Sequence, residues 1–270
     1  MEHFIWNVNP NILELGALQL RWYGVLFVGS FFLGLLILTK IYKHEGKDPA
    51  ELDAMLIYAL AGTVLGARLV HCLFYEPDYY LSHPLEILKV WKGGLASHGG
   101  LAGVLIAFYI FSKRYKTPYM WVLSRTAIAG TVIAASVRIG NFFNSEILGL
   151  PSDKPWAIIF AKVDMIPRHP VQLYEAISYL MMFVLLVAIY RKVTPAFATK
   201  IIPGVFLVTM FTARFLLEYT KTRQEAYEIS LPFSTGQLLS VPYIIVGILW
   251  IIWAFKSASK DKKNDKASHN

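Results

Sequence analysis

Charge and cysteine are what this chain has least of. A single cysteine, Cys72, in 270 residues excludes an intrachain disulfide and a thiolate metal cluster. Its apolar neighbours give it the reading of a small core residue. Charged residues make up 16% of the chain against 56% hydrophobic, and the mean hydropathy is +0.47, which excludes an ordinary soluble globule. No His, Asp and Cys residues stand at metal-ligand spacing, so no metal and no cofactor are expected. Residues 1–21 carry Glu2, Pro10 and Glu14 and lack the basic start and apolar core of a cleavable signal peptide. No internal repeat is evident, which weighs against a transporter built from inverted halves.

Apolar runs take the place of those missing features. They lie near 22–42, 52–75, 94–112, 120–140, 172–190, 201–219 and 237–255, each close to the roughly 20 residues that cross a bilayer. The runs are continuous, not alternating, which excludes a barrel and leaves helices. The expected fold is therefore all-α, a polytopic integral membrane protein with seven transmembrane helices. A single membrane domain over 1–255 is followed by a basic tail over 256–270.

Basic residues orient these spans. Fourteen of the 26 Lys and Arg fall in the first, third and fifth connections and the tail, from Lys40, Lys43 and Lys47 through Lys113, Arg114 and Lys116 to Arg191, Lys192 and Lys200. The other side holds eight in longer loops. The positive-inside rule makes the richer side cytoplasmic, with the N-terminus outside and the C-terminus inside. The net charge of +8 then reflects loops and a tail lying near anionic lipid, and no nucleic-acid partner is expected.

Three strings could carry chemistry. In the first, residues 91–103 hold five glycines around His98. His98 is suited to general-base work, while Gly99, Gly100 and Gly103 read equally as a helix-packing face. The second is Arg138-Ile139-Gly140-Asn141-Phe142-Phe143-Asn144-Ser145-Glu146-Ile147-Leu148-Gly149. An arginine at membrane depth costs roughly 2.5–3.5 kcal/mol, and its forked donors suit a phosphate. Asn141 shares its helix face at i+3, and Glu146 would meet a cation or a hydroxyl. The competing reading is an arginine that snorkels to the interface, with Glu146 as its counter-ion. The third is Arg214 to Lys221, where Arg214 and Glu218 stand at i and i+4 and can form an ion pair. Two spans each offering an arginine toward one leaflet point to a lipid headgroup site. The string Arg168-His169-Pro170-Val171-Gln172-Leu173-Tyr174-Glu175 reads mainly as a helix opening, Tyr23 as an aromatic anchor, and Arg68 as packing against an outer loop.

Together these strings resemble the phosphatidylglycerol:prolipoprotein diacylglyceryl transferase family of bacterial inner membranes. The most specific element is Arg-x-Gly-Asn-Phe-x-Asn-x-Glu-x-x-Gly at 138–149, supported in order by the glycine element at 93–100 and by 168–175. The resemblance implies transfer of a diacylglyceryl group from phosphatidylglycerol to the lipobox cysteine of prolipoprotein signal peptides, at a multi-pass position in the cytoplasmic membrane. It makes Arg138 and Arg214 the essential arginines and His98 the base. Tyr23, Gly99, Asn141, Glu146, Gly149, Glu218 and Lys221 become substrate-binding positions. Many members have an acidic residue at the place of Ser124, a serine one place before Ser97, and Arg at the place of Lys221. The rival class is a membrane protein that binds or transports anionic lipid without chemistry, and an intramembrane protease is a third.

Overall fold

A backbone surrounded by hydrocarbon has only its own carbonyls to bond, so long apolar runs become helices. The computed structural model describes residues 3–15, 18–222 and 233–268, without the side chains of Leu15, Leu18, Lys92, Ser97 and 262–268. The helices are α1 (Trp22–His44), α2 (Glu51–Val70), α3 (Pro77–Ser82), α4 (Ser97–Arg114), α5 (Tyr119–Phe143), α6 (Val171–Lys192), α7 (Pro195–Leu217) and α8 (Thr235–Ser268). Every expected run falls on one of them. Six of the helices among the described residues, all but α3 and α4, are long and apolar enough to cross a membrane. α4 has 18 residues and ends on Lys113 and Arg114. The protein is thus a polytopic helical membrane protein. α8 passes residue 256 without a break, so the basic tail continues its helix.

Short strands outside the spans add to the all-helical expectation. β1 (Phe4–Trp6) pairs in parallel with β4 (Ile158–Phe160), which pairs antiparallel with β5 (Pro167–Arg168). β2 (Asn11–Leu15) and β3 (Leu18–Arg21) form a separate antiparallel hairpin. The three-stranded sheet packs Ile158 and Phe160 with Phe142, together with Trp6, Leu148 and Leu173. Removing these rings from water anchors the end of α5, where Trp6 and Phe142 meet with centroids 4.4 Å apart.

By residue contact the chain forms two compact units, Met1–Ile37 with Ser124–Asn270, and Leu38–Leu123. In the first, α7 and α8 cross where Gly204 and Gly247 face each other. A Cβ on Gly247 would stand 3.0 Å from the Gly204 carbonyl oxygen. Thr194 caps α7, accepting from the Phe197 N–H at 3.4 Å, with Pro195 as its first residue.

In the second unit, α2 and α4 meet along Gly62, Gly66, Gly99 and Gly103. A Cβ on Gly103 would lie 2.0 Å from the Gly62 carbonyl oxygen, and one on Gly99 would lie 2.3 Å from that of Gly66. Two such pairs at four-residue spacing let the backbones touch, as association inside lipid requires. Arg68 is 2% exposed and donates to the carbonyls of Glu86 (2.6 Å), Ile87 (2.9 Å) and Gly93 (2.6 Å). Its guanidinium also lies over the Tyr80 ring. One buried arginine therefore holds the loop between α2 and α4 against α2, in keeping with the packing role expected of Arg68. Cys72 is fully buried.

Gly103→Val should lower the thermal midpoint of the detergent-solubilised protein by an amount equivalent to about 1–3 kcal/mol or more, because backbone cannot yield as a side chain does. Gly130→Ala, in α5 with nothing within 4 Å of the added carbon, should be neutral or stabilising by up to about 1 kcal/mol. Tryptophan fluorescence on heating reads both. A Gly103→Val protein melting with the parent would contradict the close α2–α4 seam.

Candidate active site

Helix α5 delivers Arg138 and Asn141 one turn apart near its end, in the first unit. Arg138 Nη1 donates to Asn141 Oδ1 at 3.3 Å. The amide of Asn141, itself 5% exposed, donates to Glu146 Oε1 at 2.7 Å. Asn144 donates to the same oxygen at 3.2 Å. Bringing Glu146 back onto these amides needs a tight turn, and the backbone takes φ of +54° at Ser145 and +57° at Ile147. Side-chain-bearing residues rarely adopt that region, β-branched ones least of all. Strain of this kind persists where surrounding contacts over-determine it, as at binding and catalytic sites.

The loop then runs between two other segments. Gly149 forms an antiparallel bridge with Lys221. Leu150 N–H donates to the Thr220 carbonyl at 2.8 Å, and His169 N–H donates to the Leu150 carbonyl at 3.0 Å. A Cβ on Gly149 would lie 2.3 Å from the His169 carbonyl oxygen, so only glycine fits. Arg168 fixes the same turn by donating to the Gly149 carbonyl at 3.3 Å and pairing with Asp164 at 2.6 Å. The hydrogen bond from Arg168, aided by the Ile166 N–H and the arginine's charge, holds the Asp164 carboxyl below its usual range against a small opposing effect of burial.

Helix α6 supplies the wall of the site. Gln172, Glu175 and Tyr179, at i, i+3 and i+7, share one face, and all are buried. Gln172 Nε2 donates to the Glu146 carbonyl at 2.7 Å. Glu175, 2% exposed, sets Oε2 3.1 Å from Arg138 Nε and Oε1 2.6 Å from Lys221 Nζ. Tyr179 lies within electrostatic range of Arg138, Glu175 and Arg214. A carboxylate this deep is tolerated only because two cations share it.

Lys221 also stands 3.7 Å from Glu218. Gly236 makes room for that second carboxylate, since a Cβ there would sit 2.8 Å from Glu218 Cδ. Beside it, Ser234 and Gln237 cap α8 reciprocally: Ser234 N–H donates to Gln237 Oε1 at 3.1 Å, and Gln237 N–H to Ser234 Oγ at 3.2 Å. Leu150, Glu218, Lys221, Ser234 and Gln237 line part of a cavity of about 450 Å³. Tyr23 lies against the bare Cα of Gly140, where a Cβ would be 2.7 Å from its ring.

Of the expected site residues, Arg138, Asn141, Glu146, Gly149, Glu218 and Lys221 are thus joined by direct contacts. Glu146 is held by amides and not, as one reading had it, spent on neutralising Arg138. Arg214, exposed in the last turn of α7, forms no ion pair with Glu218. α7 ends at Leu217, and Glu218 opens a 3-10 turn that directs it to Lys221 instead. Gly99 lies in the α2–α4 seam. His98 is the second residue of α4 and is exposed. Gln172 and Glu175 belong to the string that reads mainly as a helix opening, and Tyr179 lies outside every string that the sequence singles out. Glu175 is the one acidic residue of the α6 span, and an ionisable group in a membrane span is itself a pointer to function. Among the described residues no three His, Cys, Asp or Glu gather as a metal site.

Similarity to known proteins agrees with this geometry. The family described as prolipoprotein diacylglyceryl transferase matches residues 10–253. A protein of Chloroherpeton thalassium named phosphatidylglycerol--prolipoprotein diacylglyceryl transferase is 48% identical over 261 residues, covering 96% of this chain and 97% of its own. Proteins of the same name from Tolumonas auensis and Porphyromonas gingivalis are 45% and 39% identical, each over at least 94% of both chains. The residues matched run from before the first span into the last, through every part of the site built above, and the chain belongs to the prolipoprotein diacylglyceryl transferase family.

Proposed function

We propose that this protein transfers the diacylglyceryl group of phosphatidylglycerol to the lipobox cysteine thiol of prolipoproteins, forming a thioether and releasing glycerol phosphate. The supporting observation is the pairing of Arg138 and Lys221 on the buried Glu175, a cationic site prepared at the end of the helices for an anionic headgroup. Full-length relatives that bear the name of this reaction support it independently.

In the reaction a thiol sulfur attacks an sp3 carbon of the glyceryl group. The S–C bond forms as the C–O bond to phosphate breaks, and the electron pair leaves on the phosphate oxygen. A leaving phosphate gains charge, and guanidinium groups in a poorly solvated site stabilise it most. We assign that work to Arg138 and Arg214. Glu146, exposed but fixed by Asn141 and Asn144, is placed to accept from a headgroup hydroxyl. Gly149, Glu218, Lys221 and Tyr23 complete the binding surface, and Gly99 contributes through helix packing. A free cysteine has a pKa of about 8.5, so a proton acceptor is needed. We assign it to His98 on the resemblance of its surrounding string.

With α4 counted as a seventh span, the N-terminus lies outside and the basic loops and α8 tail lie in the cytoplasm. Arg138, Glu175 and Arg214 then stand toward the outer leaflet of the bacterial cytoplasmic membrane, where a prolipoprotein signal peptide presents its cysteine.

Purified protein, phosphatidylglycerol and a lipobox peptide should yield a peptide heavier by one diacylglyceryl group on its cysteine, read by mass spectrometry. Lipid binding with no mass gain would favour the non-catalytic reading. Arg138→Gln should lose roughly 10²–10³-fold or more in rate while remaining folded, and full activity there would remove the phosphate role. His98→Gln should lose roughly 10²–10⁴-fold if it takes the thiol proton. An unchanged rate and pH profile would move that role elsewhere.

A further inference from the structure

Glu175 makes no obvious contribution to chemistry as a residue type, since a carboxylate in an anion site opposes the substrate's charge. Its geometry gives it another task. The two carboxylate oxygens are divided between two cations: Oε2 takes Arg138 at its Nε edge (3.1 Å) and Oε1 takes Lys221 (2.6 Å). Arg138 is approached on another side by Asn141 Oδ1 at its Nη1. Gln172, one turn before Glu175 on the same face, fixes the backbone that carries Glu146. The stripe Gln172–Glu175–Tyr179 is buried at 0, 2 and 6% exposure, so neither solvent nor side-chain freedom loosens it.

Without a shared anion, Arg138 on α5 and Lys221 beyond α7 would repel one another, and in low dielectric that repulsion is poorly screened. A long lysine would also keep its rotamer freedom and lose it only on binding a ligand. A carboxylate held between them offsets the repulsion beforehand and sets both cations in one geometry before substrate arrives, which is how binding sites reduce their ordering cost.

Building on the proposed function, we propose that Glu175 is a positioning residue for the transfer: it holds Arg138 and Lys221 as a preset pair that receives the phosphodiester of the lipid donor. It touches the cations and not the reacting atoms. The arrangement explains why a lysine suffices at 221. Glu175 addresses it through one oxygen, so a forked donor is not required there.

The test uses full-length protein in detergent micelles, with phosphatidylglycerol and a lipobox peptide varied separately. Parent activity is measured first, and a parent that transfers nothing sinks the proposed function, not this inference alone. Given an active parent, Glu175→Gln should raise the KM for phosphatidylglycerol at least tenfold and leave the KM for peptide within about twofold. Lys221→Gln should add little further loss in that background, because the pair is already released. Glu175→Asp keeps the charge but is one methylene shorter. It should fold as the parent and show the same selective defect in smaller degree, which keeps the test open if the Gln variant does not fold. The inference is overturned if either folded variant has the parent's KM for the lipid. It is likewise overturned if lost activity only follows lost folded protein with both KM values unchanged, or if the Glu175 and Lys221 effects multiply independently.

Discussion

A carboxylate buried to 2% exposure between an arginine and a lysine is the contact on which the rest of this site depends. Isolated, any one of these charges would be costly to place among apolar helices. Together they are tolerated, and the requirement that they meet ties three separated stretches of chain: the end of α5, the start of α6 and the segment after α7. The strand-like bridging of Gly149 with Lys221 and the Gln172 bond to the Glu146 carbonyl reinforce the same junction through the backbone.

The surroundings meet that demand with small residues and short strands. Gly149, Gly140 and Gly236 leave room for His169, Tyr23 and Glu218 respectively, so polar groups approach backbone at distances a Cβ would forbid. The three-stranded sheet wedges aromatic rings behind Phe142, steadying the helix that bears Arg138. In the other unit the same economy appears as the Gly62–Gly103 and Gly66–Gly99 contacts and as Arg68 holding its loop. Each is a place where lipid supplies no hydrophobic drive between helices and close packing or hydrogen bonding must act instead.

Much of this was legible in the sequence because hydrophobic length is a strong signal. Every apolar run falls on a helix, although α8 runs well past its expected end, and the string at 138–149 puts a fork donor, amides and an acid in one short stretch. The strands were not legible: Phe4–Trp6 and Ile158–Phe160 are three residues each and pair across 154 positions. Nor was Glu175. Its neighbours Pro170 and Gln172 describe a helix start, and its partners lie 37 and 46 positions away, where no local period reaches. The Arg214–Glu218 pair, one of the readings open on a continuous helix, does not form because α7 tightens at Glu218 into a 3-10 turn.

The most direct test of the account is a structure of the protein with phosphatidylglycerol bound. The account predicts the headgroup phosphate within hydrogen-bond distance of Arg138, with Lys221 alongside and Glu175 still bridging both. A phosphate bound away from Arg138, with that side chain occupied only by Glu175 and Asn141, would contradict it.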